Sequence, residues 1–392
     1  MKVRQICMMV LLGLGVIPAM QAQTFDKLWK EVEQAEKKSL PKTVIKLTDE
    51  IYQKGEKERN SAQMLKAYMW RMKTQDILTP DSFYVGLRDL EQWAKQTEQP
   101  MDRAILHSLI AEFYANYAAD NQWQLRQRTE IVGETPSADI REWTANMFVE
   151  KVRTNVKEAL ADSLLLLKTS SLNYIPFVEL GETSEYYHHD MYHLLASRAI
   201  RALNQIERLE RGSFNGITAS PVKQDIINIY ERMTDAYETA GLKEGYVLTM
   251  LQYLEWKRGN DNKLQPVQLK KGLGEWTADT YNAASDELKR QFKSEPICAE
   301  VYLAQVRYAV EKMQQVNALQ LCDEAIRLYP GYRRINALKN LREEILAPFL
   351  NVSAVSQAFP NEEIKLNVGH KNLDGFTVRL YQAKKLVKEQ HY

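Results

Sequence analysis

Apolar residues recur at helical spacing along most of the chain. A clear example of the i, i+3, i+4, i+7 pattern is formed by Leu65, Tyr68, Met69 and Met72. Segments of this kind are about 13 to 22 residues long, and short stretches rich in Pro, Gly, Asn or Asp separate them. The pattern predicts a mostly α-helical protein built from helical hairpins stacked side by side.

Proline and capping residues indicate where several helices begin. Thr24 is expected to cap the first helix, and Pro41 is expected to open the second. Pro80 and Pro100 are expected to open two more. Further helices are predicted near residues 138–166, 186–209, 221–239, 243–257, 277–293, 297–314, 317–329 and 332–346.

One stretch, AEVYLAQVRYAVEKMQQVNALQLCDEAIRLYPGYRR, is more specific than the rest. Its small residues and closing proline have the spacing found in the second helix of a tetratricopeptide repeat; they are Ala318, Cys322, Ala325 and Pro330. Val306, however, stands where the first helix of such a repeat usually has a small residue. The other predicted hairpins depart further, so we expect a degenerate repeat array, a TPR-like α-solenoid.

The pattern changes after Pro348, where apolar and polar residues begin to alternate with a period of two. We expect a β-hairpin between residues 364–368 and 376–380, joined by a turn through Asp374 and Gly375. The alternating apolar positions are Leu350, Val352, Ala354, Ile364, Leu366, Val368, Phe376, Val378 and Leu380. A short, incomplete β segment is therefore predicted to follow the helices.

The first 22 residues have the layout of a secretory signal peptide. Lys2 and Arg4 precede an apolar run, and Ala22 offers a cleavage point before Gln23. The run is too short and too poorly flanked to be a dependable membrane span. We therefore expect an exported protein of the periplasm or the cell surface, without a stable membrane span after cleavage.

The remaining chain is expected to divide into two parts. Residues 23–347 form the predicted helical-repeat domain, and the loop at 168–185, which contains Pro176 and Gly181, is a candidate division between two lobes. Residues 348–392 form the predicted β segment, which would not be stable by itself, since a lone hairpin buries too little apolar surface.

Composition and motifs narrow the class of function. Lys and Arg number 52 and Asp and Glu 51, so the basic field of a nucleic-acid-binding protein is missing. The sequence has no glycine-rich phosphate loop, no Gly-x-Ser-x-Gly motif and no cysteine set at metal-ligand spacing. We expect a non-enzymatic protein without a cofactor, whose partners are proteins.

The two cysteines after the signal peptide are expected to be free. Cys298 and Cys322 lie on consecutive predicted helices, at axial positions that differ by about 15 Å. A disulfide requires Cα atoms within about 7 Å. Two buried thiols are therefore favoured over a disulfide.

His189 and His193 are the most specific candidates for a metal-binding or catalytic site. They are four residues apart on a predicted helix, the spacing with which zinc peptidases hold their metal. Asp190, however, stands where those enzymes have a glutamate, and no third histidine follows at a useful spacing. We prefer a helix N-terminus at which Asp190 favours the helix dipole, with inward packing of Tyr187, Met191, Leu194 and Leu195. A zinc-dependent hydrolase is the less favoured alternative.

The aromatic residues suggest a second alternative, a carbohydrate-binding groove. The seven tryptophans and twenty tyrosines are, however, spread singly through the predicted helices. Examples are Trp70, Trp93, Trp143 and Trp256. Aromatic residues at helical spacing are usually core, which we prefer here. Charge-dense stretches such as RALNQIERLERG are interpreted as solvated helix faces.

Several stretches together resemble the N-terminal region of exported α2-macroglobulin-like proteins of Bacteroidetes-type bacteria. They are FDKLWKEVEQAEKKSLPKTVIKLTDEIYQKG, WQLRQRTEI, YIPFVELGETSEYYHHDMYHLLASRAI, ICAEVYLAQ and NLDGFTVRLY. The resemblance implies a helical region followed by a train of β-sandwich domains, in a protein that traps proteases. It also implies that residues 348–392 are the truncated start of a macroglobulin-type β-sandwich, and that the chain is the leading fragment of a longer protein.

Many members of that family carry a thioester formed within Cys-x-Glu-Gln. The two nearest matches here are Cys298-Ala-Glu-Val301 and Cys322-Asp-Glu-Ala325. Neither fourth residue has an amide, so the thioester is excluded for this chain. The expected function is a scaffold or docking module of a protease inhibitor without its bait region. The alternative is a stand-alone TPR-like adaptor of the cell envelope.

Overall fold

A computed structural model describes residues 17–79, 83–129, 137–181, 184, 188–210, 220–260, 281–354, 363 and 365–377. It is mostly helical, with one two-stranded antiparallel sheet near the C-terminal end of the described chain, and confirms the predicted fold class. The chain folds into two compact units, residues 1–284 and 285–392. The predicted divisions near 168–185 and at 348 stay predictions.

Eleven of the described α-helices begin and end within the first unit. They are α1 (Ile17–Lys37), α2 (Pro41–Glu58), α3 (Ser61–Leu78), α4 (Phe83–Gln96), α5 (Pro100–Asp120), α6 (Gln122–Gln127), α7 (Ala145–Ala159), α8 (Ser163–Lys168), α9 (Met191–Glu207), α10 (Pro221–Thr239) and α11 (Lys243–Asn260). The short helix α6 was not predicted. The predicted helix at 138–166 is divided into a 3-10 turn, α7 and α8.

The predicted helix starts were right where proline is the first helical residue. Pro41 and Pro100 open α2 and α5, because proline has no N–H to leave unpaired in the first turn. The predicted cap at Thr24 was wrong: α1 begins at Ile17 and continues through Thr24. Pro80 lies outside the described residues, and α4 is described from Phe83.

The core of the first unit is continuous from α3 to α11, and α5 lies at its centre. Helix α5 packs against α4, α7 and α9, and its buried residues occur on every side of it. Small side chains at Ala111, Ala115 and Ala118 allow these neighbours to approach closely. A smaller cluster around Phe25, Trp29 and other apolar residues of α1 to α3 joins the first helices.

The aromatic residues contribute to these cores. Trp143 is buried and stacks on Tyr114 with a centroid distance of 5.2 Å. Trp70, Trp93 and Trp256 are partly buried and pack against the apolar clusters. The core interpretation is therefore confirmed for Trp143, and the other three pack at the edges of the clusters.

Three of the described helices lie wholly within the second unit. They are α13 (Cys298–Glu311), α14 (Gln315–Leu328) and α15 (Ile335–Leu346), and the preceding helix α12 (Tyr281–Phe292) contains the boundary between the units. Helix α14 packs against both α13 and α15. The predicted small inner face is confirmed, because Ala318, Cys322 and Ala325 are all fully buried. Cys298 and Cys322 are buried free thiols, as expected.

A two-stranded ribbon follows α15. Strand β1 (Phe349–Ala354) pairs antiparallel with β2 (Leu366–Lys371), with Val352 opposite Val368. The predicted pairing across Asp374 and Gly375 stays a prediction, because Ile364 and most of the second predicted strand lie outside the described residues; within them, β2 pairs with the preceding segment. Phe376 is not in a strand, and Val378 and Leu380 lie outside the described residues. Period-two alternation marks strands but does not choose between possible partners.

Candidate functional site

The first turn of α9 is held by Asp190, which is its N-cap. The Asp190 carboxylate accepts hydrogen bonds from the His193 backbone N–H at 2.7 Å and from the Tyr237 hydroxyl at 2.8 Å. It also contacts His188 Nδ1. The interpretation of this segment as a helix N-terminus is therefore confirmed, and the role of Asp190 is more specific than a dipole interaction. Tyr187 lies outside the described residues.

The two histidines predicted as weak metal candidates do not share a helical face. His189 precedes the N-cap, so the premise that it lies on the helix four residues before His193 was wrong. The His193 ring is fully buried, and its Nε2 lies 3.1 Å from the Gln252 side-chain nitrogen. Burial lowers the pKa of His193 to about 4, which keeps the ring neutral at pH 7. No group of three or more potential metal ligands occurs in the described residues.

The outward side of α9 presents a polar stripe. Its members are Ser197, Arg201, Asn204, Gln205 and, just after the helix ends, Arg208. Residues three, four and seven apart lie on the same side of a helix, so these side chains follow one line. The stripe forms one wall of a cleft of about 620 Å³, which Gln122, Tyr230 and Gln252 also line. We call this cleft the α9 groove.

A second cavity of about 340 Å³ continues from the same helix. It shares Ser197 and Arg201 with the α9 groove. Its other wall is formed by the loop before α9 and includes Val178, Leu180 and His188. Arg201 therefore lies where the polar groove meets a cavity with more apolar lining.

The amide side chains of the groove are held in place by hydrogen bonds. Gln205 Nε2 donates to Asn116 Oδ1 at 2.9 Å, and Trp256 Nε1 donates to Asn204 Oδ1 at 3.0 Å. Two buried side-chain oxygens, Ser197 Oγ and Gln205 Oε1, have no hydrogen-bond partner among the described residues. The groove thus combines oriented amides with hydrogen-bonding capacity that the described chain does not use.

Three carboxylates near the groove already have partners. Glu112 pairs with Arg198, Glu207 with Lys223 at 3.2 Å, and Glu255 with Arg258. Arg201 and Arg208 are exposed, and neither has an ion pair within the described part of the chain. Two arginine charges therefore face solvent at the groove with no ion-pair partner from the described carboxylates.

Sequence analysis missed this site because RALNQIERLERG was interpreted as an ordinary solvated helix face. The signal was nevertheless present, since Arg201, Asn204, Gln205 and Arg208 have the i, i+3, i+4, i+7 spacing. The pattern could not predict the opposite wall of the groove, because Gln122, Tyr230 and Gln252 come from other segments of the chain.

Comparison with known proteins identifies no relative. No protein-family model, curated protein or solved structure matches the chain. None of the described helices is long and apolar enough to cross a membrane.

Proposed function

We propose that the chain is a non-enzymatic docking module of an exported α2-macroglobulin-like protease inhibitor, and that the α9 groove is its docking site. The groove is the observation that carries the binding part of this proposal. The family part is supported by the resemblance of stretches such as YIPFVELGETSEYYHHDMYHLLASRAI. Export is supported by the signal-peptide layout of residues 1–22.

The side chains of the groove favour binding over catalysis. Asparagine and glutamine amides both donate and accept hydrogen bonds, as the backbone of an extended peptide requires. His193, the neutral imidazole nearest to the groove, is fully buried behind Gln252 and does not reach its surface. The arrangement can hold and orient a polypeptide through Asn204, Gln205 and the two arginines.

The length of the groove suits a short segment. Ser197 and Arg208 are eleven positions apart, so the stripe is about 16 Å long at 1.5 Å per residue. An extended chain covers this distance with about five residues at 3.3 Å each. We therefore propose a linear segment of another protein, or of a further domain of the same protein, as the ligand.

The alternative is a stand-alone TPR-like adaptor of the cell envelope. It is favoured by the buried small residues Ala318, Cys322 and Ala325, which pack α14 as a repeat helix packs. The coding sequence after the Tyr392 codon separates the two functions. Several hundred further residues of β-rich sequence in frame would support the inhibitor, whereas their absence would support the adaptor.

Site-specific photo-crosslinking tests the docking site. A benzoylphenylalanine at Asn204 is expected to give a discrete crosslinked product in the producing cells. The same residue at Lys30, exposed on α1, serves as the control and is expected to give none. The crosslinked protein would then be purified and its affinity measured for the intact chain and for a Gln205→Trp variant, which fills the groove. Absence of a product at Asn204, or equal affinity for both chains, would overturn the proposal.

A further inference from the structure

We propose that the α9 groove is specific for an acidic segment, in which two carboxylates three residues apart in a polyproline II chain bind Arg201 and Arg208. This inference rests on the docking function proposed above and names the chemistry of the ligand. It is carried by the unbalanced charge of the groove, by the spacing of the two arginines and by the polar atoms between them.

Several acidic neighbours of the two groove arginines are engaged with other partners. Glu207 pairs with Lys223 and Glu210 accepts from the Ser220 hydroxyl and the Val222 N–H, so neither is available to Arg208. Glu112 is likewise paired with Arg198, one turn from Arg201. Among the described residues, those that line the groove include no aspartate or glutamate. An anionic ligand would therefore meet two guanidinium groups without displacing an existing ion pair.

The spacing of the arginines sets the spacing of the carboxylates. Arg201 and Arg208 are seven residues apart, which corresponds to about 10.5 Å along the helix. Carboxylates at positions i and i+3 of a polyproline II peptide lie on the same side and are separated by about 9 Å, because this conformation has about three residues per turn and rises about 3.1 Å per residue. A peptide of the form Asp/Glu-x-x-Asp/Glu therefore fits the stripe when it runs along α9.

The atoms between the arginines suit the peptide backbone. Asn204 and Gln205 lie between the two charges and are oriented by Trp256 and Asn116. The exposed Asn204 side chain can donate from Nδ2 to a backbone carbonyl, because only its Oδ1 is engaged by Trp256. Arginine favours bidentate binding of a carboxylate, which a lysine at the same position does not reproduce.

A defined peptide array tests the inference on the full chain. Each ten-residue peptide carries two Asp or Glu residues separated by one to five positions in a Gly-Ser-Ala background, and matched peptides carry Asn or Gln instead. We expect the greatest retention at a separation of three and at least tenfold weaker binding of the amide peptides. Affinity should also fall as salt rises from 50 to 300 mM, as expected for exposed ion pairs.

Arginine variants connect this specificity to the groove. Arg201→Gln and Arg208→Gln should each weaken binding of the best acidic peptide about tenfold, while Arg88→Gln, at an exposed position of α4, should not. Arg201→Lys should restore only part of the affinity. Equal binding of the acidic peptide by all variants, or equal retention of the acidic and amide peptides, would overturn the inference.

The outcomes separate this inference from the docking function. A crosslinked partner at Asn204 whose affinity is unchanged by Arg201→Gln and Arg208→Gln would leave the docking site standing and refute acidic specificity. Absence of the crosslink, with no acidic peptide bound, would refute both.

Discussion

The C-terminal unit contains two regions that hold their apolar residues differently. In α13 to α15, apolar side chains such as Val306, Ala325 and Leu338 are buried. In the ribbon β1–β2, Leu350, Val352 and Leu366 are 46%, 48% and 45% exposed. Both regions have the apolar pattern appropriate to their secondary structure. An apolar pattern that suits the secondary structure is therefore not enough to bury the side chains, because a second layer must also cover them.

The ribbon is held by polar contacts to the end of α15 as well as by its own ladder. Lys371 Nζ donates to the Glu344 carbonyl at 2.7 Å, and Asn372 Nδ2 donates to the Ile345 carbonyl at 2.7 Å. Leu350, Val352, Val368 and Leu366 lie on one face, because residues opposite each other in a ladder share a face. That face is an uncovered apolar patch of the kind that marks a contact site.

The buried ion pair of the helical region should give the largest effect. Glu300 and Arg334 pair at 2.6 Å and are 5% and 4% exposed, so Glu300→Ala would leave a buried guanidinium without its counter-charge. We expect a loss of about 3–5 kcal/mol in the free energy of unfolding, measured by urea denaturation. Asp323→Ala, which removes the exposed pair with Arg342, should cost less than about 1 kcal/mol. Equal losses of unfolding free energy in the two variants would contradict the burial of the Glu300–Arg334 pair.

A matched pair of leucines tests the apolar contrast directly. Leu338→Ala removes a side chain that is 1% exposed and should cost about 2–5 kcal/mol, because it leaves a cavity. Leu350→Ala on the ribbon should cost less than about 0.5 kcal/mol, as expected for an exposed position. Both are measured by the same urea denaturation. A large cost at Leu350 would show that the face of the ribbon is covered in solution.

The burial of His193 in the first unit should make the free energy of unfolding depend on pH. Because burial lowers the pKa of His193 from 6.5 to about 4, the unfolded chain binds a proton below pH 6.5 that the folded chain does not. Stability should therefore fall as pH drops from 6.5 to 4, by up to about 3 kcal/mol. His193→Gln should remove this part of the pH dependence. Identical pH profiles for the variant and the wild-type protein would contradict it.

The anchor of the ribbon should give the smallest effect. Asn372 has a left-handed backbone with φ of 53°, and its amide donates to carbonyls at the end of α15. Asn372→Ala should raise the hydrogen-exchange rate of the β1 and β2 ladder amides about fivefold, corresponding to about 1 kcal/mol. Asn372→Gly tolerates the backbone conformation but lacks the amide. If the lost side-chain hydrogen bond causes the effect, the ladder amides of the glycine variant should exchange as fast as those of the alanine variant. If backbone strain alone causes it, they should exchange at the wild-type rate.

Local patterns predicted the helices well and their partners poorly. Pro41 and Pro100 opened helices as expected because proline suits a first turn whatever surrounds it. Thr24 was not a cap, since a capping residue can also lie within a longer helix. Alternation predicted strands at both β1 and β2 but did not assign them as partners, because Leu366 and Val368 alternate equally well toward either neighbouring segment.

The sequence by itself determined the helical class, the inward small residues of α14 and the two free thiols, because helical periodicity and axial rise are local properties. Only the tertiary structure decided which polar helix face became a groove. Arg201 and Arg208 are exposed arginines like many others until Gln122, Tyr230 and Gln252 form the opposite wall. A concave site requires residues from separate segments to meet, and that meeting depends on how the whole core packs.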